Sequence, residues 1–346
     1  MSNDLFTRDN FQVTSGQRFV TGGKEYTLGG SVGAGAIGIV RRAVELRSRI
    51  QVAVKFLAPE PKYIEESSFE DMRARFRREG MRGEGLSHNH LVKIIAYEEN
   101  KDGSCFPEKD NSYPVNPFIV MEQIQGRTLE HHIEKRAKVT DSANNPHFNI
   151  TPQSLFIAYS IINALHHIHK RKIVHRDVKP ANIYLNKINE DTIPTTVKLG
   201  DFGIVKWGDF KASITTGSLT IAGQQGLGSL KYMPPEQALN PKEIEVRADM
   251  YSLGITLFEL FTDHILPTPH HVFQIVLQRS KRSNVLSKLH ELGYGFIPLQ
   301  YERLFTNIYD MLASAYHSRP SSQEMEGRLQ YLLDEVGYSH LYLEPG

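Results

Sequence analysis

The sequence predicts an α+β fold built from two unequal parts. Its 346 residues are enough for one large domain or two lobes. Segments rich in valine and isoleucine, separated by glycines, fill the first third, as antiparallel strands do. Beyond Gln125 and Gly126 the apolar residues recur with helical spacing. Because strands and helices are segregated along the chain, a lobe boundary is predicted within residues 123–126.

The first lobe is predicted over residues 25–123, after a polar extension (1–24) that is too short to be a domain. A helix rich in Arg and Glu is predicted over 68–86. A surface loop is inserted near 99–117. Strands are predicted in four segments: 26–45, 50–57, 91–98 and 118–123.

The second lobe is predicted over residues 124–346 and is mainly helical. Short strands surround residues 172–185 and fill 196–199, with a polar insertion between them. Another polar loop is predicted near 138–150. Helices are predicted over 129–137, 154–170, 244–261 and in segments from 269 to the C-terminus.

The composition excludes several classes of protein. With 40 basic and 39 acidic residues the formal net charge is +1, so bulk charge gives no reason to expect a nucleic-acid or anionic-membrane partner. No segment approaches the roughly 20 apolar residues that cross a bilayer, and the N-terminus has no signal-peptide core. Cys105 is the only cysteine, which fits a reducing compartment, and a cytoplasmic location is expected.

The stretch Lys172 to Leu185 reads KIVHRDVKPANIYL and holds three different polar groups in an apolar frame. Asp177, Lys179 and Asn182 offer a carboxylate, an ammonium and an amide, while Pro180 prevents an ordinary helix or an unbroken strand. This pattern indicates a rigid loop around one reacting group. The stretch resembles the catalytic loop of protein kinases, H-R-D-x-K-P-x-N, at every fixed position.

The resemblance implies a bilobal protein kinase fold over about residues 26–330, with a small antiparallel β-rich N-lobe carrying one regulatory helix and a larger, mainly helical C-lobe. It implies that Asp177 orients and deprotonates the acceptor hydroxyl and that Lys179 neutralises charge on the transferred phosphoryl group. Asn182 is implied as a magnesium ligand. Lys179, two residues after Asp177, resembles the serine/threonine branch of the family.

The segment 32–40 reads VGAGAIGIV and contains three glycines in the spacing G-x-G-x-x-G: Gly33, Gly35 and Gly38. Glycines allow the backbone to approach phosphates closely, but this spacing alone also fits a glycine-rich hairpin. The strand-like Val52-Ala53-Val54-Lys55 that follows resembles the kinase arrangement rather than a dinucleotide-binding turn. By this resemblance Lys55 neutralises the α- and β-phosphates.

The resemblance requires a helix glutamate to pair with Lys55, and Glu79 is the best match. One turn later the family usually has an apolar residue, whereas this chain has Gly83. Together with Gly80 and Gly85 it should weaken the helix by roughly 1 kcal/mol per glycine relative to alanine. We therefore hypothesise that docking of this helix is a regulatory step.

An adenine pocket is also implied by the resemblance. Met121, Glu122 and Gln123 match the hinge whose backbone receives the adenine edge, and Tyr184 falls at the floor position, where the family generally has an aliphatic residue. An aromatic floor can stack on the base or narrow the pocket, and both alternatives stay open. The remaining apolar lining is predicted from Val32, Val40 and Ala53.

Asp201-Phe202-Gly203 follows a strand-like segment and resembles the family's second metal-binding motif, in which Asp201 holds magnesium. Further along, Pro235-Glu236 resembles the end of the activation segment, and Glu236 is expected to pair with Arg319. Asp249 matches a buried aspartate that braces the catalytic loop. These last three residues are interpreted as structural supports.

The segment between Gly203 and Tyr232 is rich in hydroxyl groups, as flexible polar loops also are. Because Arg176 resembles the arginine that captures a loop phosphate, we hypothesise activation by phosphorylation here. Ser229 matches a loop threonine beside the catalytic aspartate and is a less favoured switch site. The candidate positions are Ser213, Thr215, Thr216, Ser218 and Thr220.

Histidines cluster at His166, His167 and His169, but no Cys or third histidine at useful spacing completes a zinc site, so helix packing is the favoured interpretation.

The sequence therefore predicts an ATP-dependent protein kinase that modifies Ser and Thr hydroxyls of proteins, including its own, with Mg²⁺ or alternatively Mn²⁺ as the metal. Self-association for trans-autophosphorylation is a further expectation. Two alternatives remain. Gly83 and Tyr184 leave open a pseudokinase-like nucleotide-binding module, and a small-molecule phosphotransferase is disfavoured by the long activation segment and by Lys179. The Y-M-P-P-E-Q-A run resembles bacterial members.

Overall fold

The structure, a computed structural model, describes residues 7–11, 13–35, 37–61, 69–99, 116–141, 148–186, 196–201, 231–239, 245–263 and 299–341. These residues form two compact units. The N-terminal unit contains those up to His88 together with those of 92–123, and the C-terminal unit contains Asn89–Leu91 and those from Ile124 onward. The change of unit between Gln123 and Ile124 coincides with the end of the strand-rich part of the sequence.

A six-stranded antiparallel sheet forms most of the N-terminal unit, and one helix, α1 (Phe69–Glu84), follows its fourth strand. The strands lie in the order β1-β2-β3-β4-β6-β5. In chain order they are β1 (Arg18–Thr21), β2 (Lys24–Gly35), β3 (Gly38–Glu45), β4 (Gln51–Leu57), β5 (Ile94–Glu98) and β6 (Phe118–Glu122). Strand β5 begins three residues later than predicted, because Leu91 forms an isolated bridge with Leu199 in the C-terminal unit.

The central strand β4 is buried on both faces of this sheet, which explains its nearly continuous apolar sequence. On one face Val54 and Phe56 pack in a cluster with Phe19 and Phe118, whose rings lie edge to face at 5.4 Å. On the other face the apolar stripe of α1 covers the sheet. That second cluster contains Leu57, Phe69, Met72, Phe76, Ile94 and Ile119.

The sheet reaches into the predicted N-terminal extension. Strand β1 pairs with β2, Val13 is 3% exposed within the core, and the Phe11 ring packs on Phe56 with a centroid distance of 5.2 Å. Arg8 continues this attachment: its guanidinium is 2.7 Å from Glu60 and also donates to the Gly35 carbonyl. Arg8, Phe11 and Val13 are therefore attached to the sheet that follows them.

The described part of the C-terminal unit is mainly helical and has one small sheet. The strands β7 (Gly126–Thr128), β8 (Ile183–Asn186) and β9 (Thr196–Leu199) pair in the antiparallel order β7-β8-β9. The helices are α2 (Leu129–Asp141), α3 (Pro152–His169), α4 (Pro235–Leu239), α5 (Arg247–Thr262), α6 (Leu299–Met311) and α7 (Ser322–Glu335).

Helices α3 and α5 form the core of this unit, and both are predominantly buried. The start of α3 is fixed locally, since Thr151 and Ser154 form a reciprocal capping box and Pro152 occupies the first turn. Among the described residues, no helix is long and apolar enough to span a membrane.

Candidate active site

Lys55 of β4 and Glu79 of α1 lie next to each other in the N-terminal unit. The distance between Lys55 Nζ and Glu79 Oε1 is 2.8 Å, and both side chains are largely buried. The pair forms because α1 packs on the face of the sheet from which Lys55 projects. The structure thus brings these two sequence-predicted residues together.

The glycines of α1 allow that close packing. A Cβ atom added to Gly83 would overlap the Ile94 side chain, and one added to Gly80 would overlap the Tyr97 ring. Ile94 therefore fills the space in which the family's usual apolar residue at position 83 would lie. The sequence indicated only that these glycines weaken the helix; the structure adds that they let α1 approach β5.

The register of the sheet places the predicted nucleotide-binding side chains on one face. Val40 pairs with Lys55, Lys55 with Ile119, and Ala53 with Met121. Paired residues in antiparallel strands project on the same side, and alternate residues of one strand do so too. Val40, Ala53, Lys55 and Met121 consequently share the face against which α1 packs.

The glycine-rich segment forms the hairpin end of β2 and β3, where Gly33 pairs with Val40 and Gly35 with Gly38. A Cβ added to Gly33 or Gly35 would meet no atom within 4 Å, so the backbone there borders open space. At Gly38 an added Cβ would lie 2.7 Å from the Phe56 carbonyl oxygen, so close strand approach requires glycine. Val32 is 52% exposed.

The predicted hinge residues end strand β6. The Glu122 backbone N–H donates to the Lys93 carbonyl at 3.0 Å, and the Glu122 carboxylate accepts from the Lys93 N–H at 2.7 Å. The Glu122 N–H is therefore already used and is not available to a base edge. The side-chain Oε1 of Gln123 is buried and has no hydrogen-bond partner among the described residues.

In the C-terminal unit two polar groups of the catalytic loop, from Lys179 and Asn182, converge on the carboxylate of Asp177. Lys179 Nζ lies 2.9 Å from Asp177 Oδ2, and Asn182 Nδ2 donates to the same oxygen at 2.9 Å and to the Asp177 carbonyl at 2.8 Å. A 3₁₀ turn over Pro180–Asn182 brings Asn182 back toward Asp177. Both groups thus orient the Asp177 carboxylate by charge-assisted hydrogen bonds.

A buried hydrogen-bond network centred on Asp249 holds the backbone of this loop. Asp249 at the start of α5 is fully buried and accepts from the backbone N–H groups of His175 and Arg176, each at 2.7 Å. His169 Nε2 contacts the same carboxylate at 2.9 Å. These bonds hold Arg176 at a φ of 70°, in the left-handed region.

His175 is held in one neutral tautomer. Its Nε2 lies 3.1 Å from the Gly200 carbonyl and so carries the proton, while its Nδ1 accepts from the Asp177 N–H at 3.3 Å. Burial lowers the pKa of His175 because the imidazolium would lose its hydration. The histidine therefore links the catalytic loop to the backbone that precedes Asp201.

Asp201 follows strand β9 and is the last described residue of its motif. The Gly200 N–H donates to the Asn182 carbonyl at 2.9 Å, which sets Asp201 beside the loop that carries Asn182. Tyr184 donates its hydroxyl to Asp201 Oδ2 at 2.8 Å. The tyrosine assigned to the adenine floor is thus bonded to the predicted metal-binding carboxylate.

Comparison with known proteins identifies the family. A family model described as the protein kinase domain matches residues 26–328. The chain belongs to the protein kinase family.

Curated relatives of this chain include bacterial serine/threonine-protein kinases. PknB of Mycobacterium leprae, a serine/threonine-protein kinase, is 32% identical over 237 residues, which are 68% of this chain and 32% of PknB. The serine/threonine-protein kinase PrkC of Bacillus subtilis is 32% identical over 235 residues, or 68% of this chain and 30% of PrkC. The chain thus spans about a third of the length of the curated relatives it matches.

Solved structures show the same fold. The PknI kinase domain of Mycobacterium tuberculosis, as a double mutant, superposes with a TM-score of 0.58 at 22% identity and covers 93% of this chain and 99% of that one. The protein kinase fold predicted from the sequence is confirmed.

Membership of the kinase family implies the use of ATP and a divalent metal, and the residues present fit both. Open space beside Gly33 and Gly35 leaves their backbone accessible to phosphate. Asn182 uses its Nδ2 toward Asp177, so its amide oxygen and the Asp201 carboxylate are hard oxygen atoms of the type that could hold such a metal. Within the described ranges no group of three or more His, Cys, Asp or Glu residues could hold a metal. Mg²⁺ typically takes few protein ligands together with nucleotide phosphates.

The platform that follows the activation segment is anchored by two buried ion pairs. Arg319, with no exposed surface, forms a bidentate pair with Glu236 at 2.5 and 2.8 Å, as expected. Glu259 binds Lys231 at 2.8 Å and the Tyr232 hydroxyl at 2.7 Å. The other predicted residues of this segment, Phe202, Gly203 and the candidate phosphorylation sites, lie outside the described residues.

Three contacts at the candidate site are not predicted from the sequence. His169 takes part in helix packing, as predicted, through a contact with Asp249 beneath the catalytic loop that the sequence does not indicate. Tyr184 was placed in the adenine pocket without its contact to Asp201. Arg8 was assigned to an extension, yet it contacts the glycine-rich hairpin at Gly35.

Proposed function

We propose that this chain is an ATP-dependent protein kinase that transfers the γ-phosphoryl group to Ser and Thr hydroxyls. The observation that carries the proposal is the Asp177 carboxylate, which is oriented by Lys179 and Asn182 at 2.9 Å each. A carboxylate held in this way is suited to receive a proton from an alcohol. The names of the relatives support Ser and Thr as the acceptors.

The chain's own residues divide the work. Asp177 accepts the proton that the acceptor hydroxyl loses as its oxygen bonds to the γ-phosphorus and ADP departs. The Lys179 ammonium lies 2.9 Å from the carboxylate that receives the proton. It is therefore also near the phosphoryl group in transfer and neutralises part of that group's charge. Lys55, positioned by Glu79, and the backbone of the glycine-rich hairpin bind the phosphates of ATP.

Asn182 and Asp201 hold the metal in this proposal. The metal, when bound, neutralises the charge of the β- and γ-phosphates. The adenine pocket is assigned to Val32, Val40, Ala53, Met121 and the hinge. Substrate proteins, and the chain itself in its activation segment, are the proposed acceptors.

The test is transfer from ATP labelled on its γ-phosphate, with Mg²⁺, to a generic basic protein, followed by analysis of the phosphorylated amino acids. Wild type is expected to give phosphoserine or phosphothreonine, and omission of Mg²⁺ or substitution Asp177→Ala should abolish the label. Asp310→Asn, which alters only an exposed pair with Arg328, is the matched control and should label normally. Label that survives in Asp177→Ala, or that appears only on small molecules, contradicts the proposal.

A further inference from the structure

Tyr184 is the feature of this site that the predicted roles do not explain. Along β8 the side chains of Ile183 and Leu185 are fully buried, while Tyr184 alternates to the opposite face and is partly exposed. Its ring therefore does not serve the core of the C-terminal unit. Its hydroxyl is 2.8 Å from Asp201 Oδ2, a distance typical of a charge-assisted O–H···O⁻ bond.

The backbone of Asp201 is itself unusual. Its φ of 55° lies in the left-handed region, which residues other than glycine rarely adopt. Conformations of this kind persist only where surrounding contacts determine them. The backbone before Asp201 is held by two bonds of Gly200, its N–H to Asn182 at 2.9 Å and its carbonyl to His175 at 3.1 Å. The Tyr184 hydroxyl contacts the side chain that these backbone bonds do not reach.

We propose that Tyr184 is a positioning residue for the metal: its hydroxyl holds the Asp201 carboxylate by one oxygen and so directs the carboxylate toward a divalent cation bound with ATP. This inference rests on the proposed function, and it assigns Tyr184 a role besides lining the adenine pocket. Hydrogen-bond partners of metal ligands commonly change metal affinity by about 10- to 100-fold when they are removed.

The structure also explains how a tyrosine fits at this position. Tyr184 pairs in register with Thr128 and Lys198, so its backbone is fixed on both sides by the three-stranded sheet. A ring fixed at its base and hydrogen-bonded at its tip is preorganised before any ligand arrives.

The experiment measures metal binding separately from catalysis. Free Mn²⁺ is counted by electron paramagnetic resonance during titration of the full chain with a non-hydrolysable ATP analogue, and affinity for the same analogue is measured in excess chelator. Tyr184→Phe keeps the ring and removes the hydroxyl. It is expected to weaken Mn²⁺ binding in the ternary complex by about tenfold or more, while metal-free affinity changes less than about twofold.

Two further variants make the result decisive. Tyr184→Leu, the aliphatic type usual in the family, should weaken Mn²⁺ binding as much as Tyr184→Phe if the hydroxyl is responsible. Tyr331→Phe, at a tyrosine that is 58% exposed, should behave as wild type. Wild-type Mn²⁺ affinity in Tyr184→Phe, or a loss seen only with Tyr184→Leu, would overturn the inference and leave the kinase proposal standing. Failure of the wild-type chain to bind the analogue with Mn²⁺ would overturn both.

Discussion

Lys55 Nζ lies 2.8 Å from Glu79 Oε1, with side chains that are 14% and 4% exposed. This pair ties the central strand of the N-terminal sheet to α1, the only α-helix described in that unit. A buried ion pair adds little net stability, but the loss of one partner strands the other charge.

Lys55→Met should therefore affect both stability and catalysis. We expect a loss of about 3 kcal/mol in the free energy of unfolding, because Glu79 is left buried without its partner, and a fall of about 10²- to 10³-fold in kcat. Denaturant unfolding and phosphoryl transfer measure the two effects. The double variant Lys55→Met with Glu79→Leu should regain most of the stability and none of the activity. Recovery of activity in the double variant would contradict the role of Lys55 in binding phosphate.

Gly83→Ala tests the close approach of α1 to β5. Alanine would favour the helix by about 1 kcal/mol, but its Cβ would overlap Ile94, and overpacking costs about 1–3 kcal/mol. We expect net destabilisation, relieved by the double variant Gly83→Ala with Ile94→Ala. Gly327→Ala in α7, where an added Cβ meets nothing within 4 Å, should instead stabilise the chain.

The regulatory hypothesis for α1 is tested by amide hydrogen exchange. If its docking is a switch, residues 69–84 should exchange faster than helix α5 and become protected when nucleotide binds. Gly83→Ala should accelerate that exchange. Equal protection of α1 and α5, with and without nucleotide, would contradict the hypothesis.

Arg8→Ala tests whether the N-terminal segment restrains the glycine-rich hairpin. Arg8 bonds Glu60 at 2.7 Å and the Gly35 carbonyl, and it precedes the residues matched by the family model. We expect its removal to increase amide exchange in residues 31–40 about tenfold, equivalent to about 1.4 kcal/mol of lost restraint. Arg18→Ala, which removes an exposed pair with Glu25, is the matched control. Unchanged exchange in Arg8→Ala would show that the segment does not restrain the hairpin.

Acid should destabilise the chain partly through His132 of α2, which is 2% exposed. Burial and nearby cations lower its pKa from 6.5 to about 3. As pH falls through 6.5, His132 binds a proton in the unfolded chain but stays neutral in the folded chain. The free energy of unfolding therefore decreases toward acid pH. The nearby cationic groups are Arg136, Arg127, His131 and Lys135.

This titration predicts a decrease of about 1.4 kcal/mol from His132 between about pH 7.5 and about pH 5.5. Denaturant unfolding of His132→Leu should show a pH dependence that is smaller than that of wild type by this amount. Equal pH dependence in His132→Leu and wild type would show that His132 does not contribute.

The features that could be predicted from the sequence are those encoded within short segments of the chain. Asp177, Lys179 and Asn182 fall within one loop, so their spacing and Pro180 already restrict how they can converge. The fold class followed from the segregation of strands and helices, and the family comparison bears it out. Assignment of the individual roles remains a prediction for the experiments above.

Two contacts between residues far apart in the sequence, Lys55–Glu79 and Glu236–Arg319, were expected only from the family resemblance, and others could not be predicted. Arg8 reaches Gly35 because Phe11 and Val13 pack in the core of the sheet. Gly83 alone predicted only a weakened helix. Nothing in the neighbouring sequence shows that the Ile94 side chain fills the space beside this glycine. Tyr184 and Asp201 meet because β8 and β9 pair in one particular register.

The most direct test of the central claim separates nucleotide binding from chemistry at Asp177. Asp177→Asn preserves the size of the side chain and removes its capacity to take a proton. We expect kcat to fall by about 10²- to 10⁴-fold while the Kd for a non-hydrolysable ATP analogue with Mg²⁺ stays within about threefold of wild type, because Asp177 receives the proton and does not bind the nucleotide. A wild-type kcat in Asp177→Asn, with nucleotide binding intact, would contradict the account.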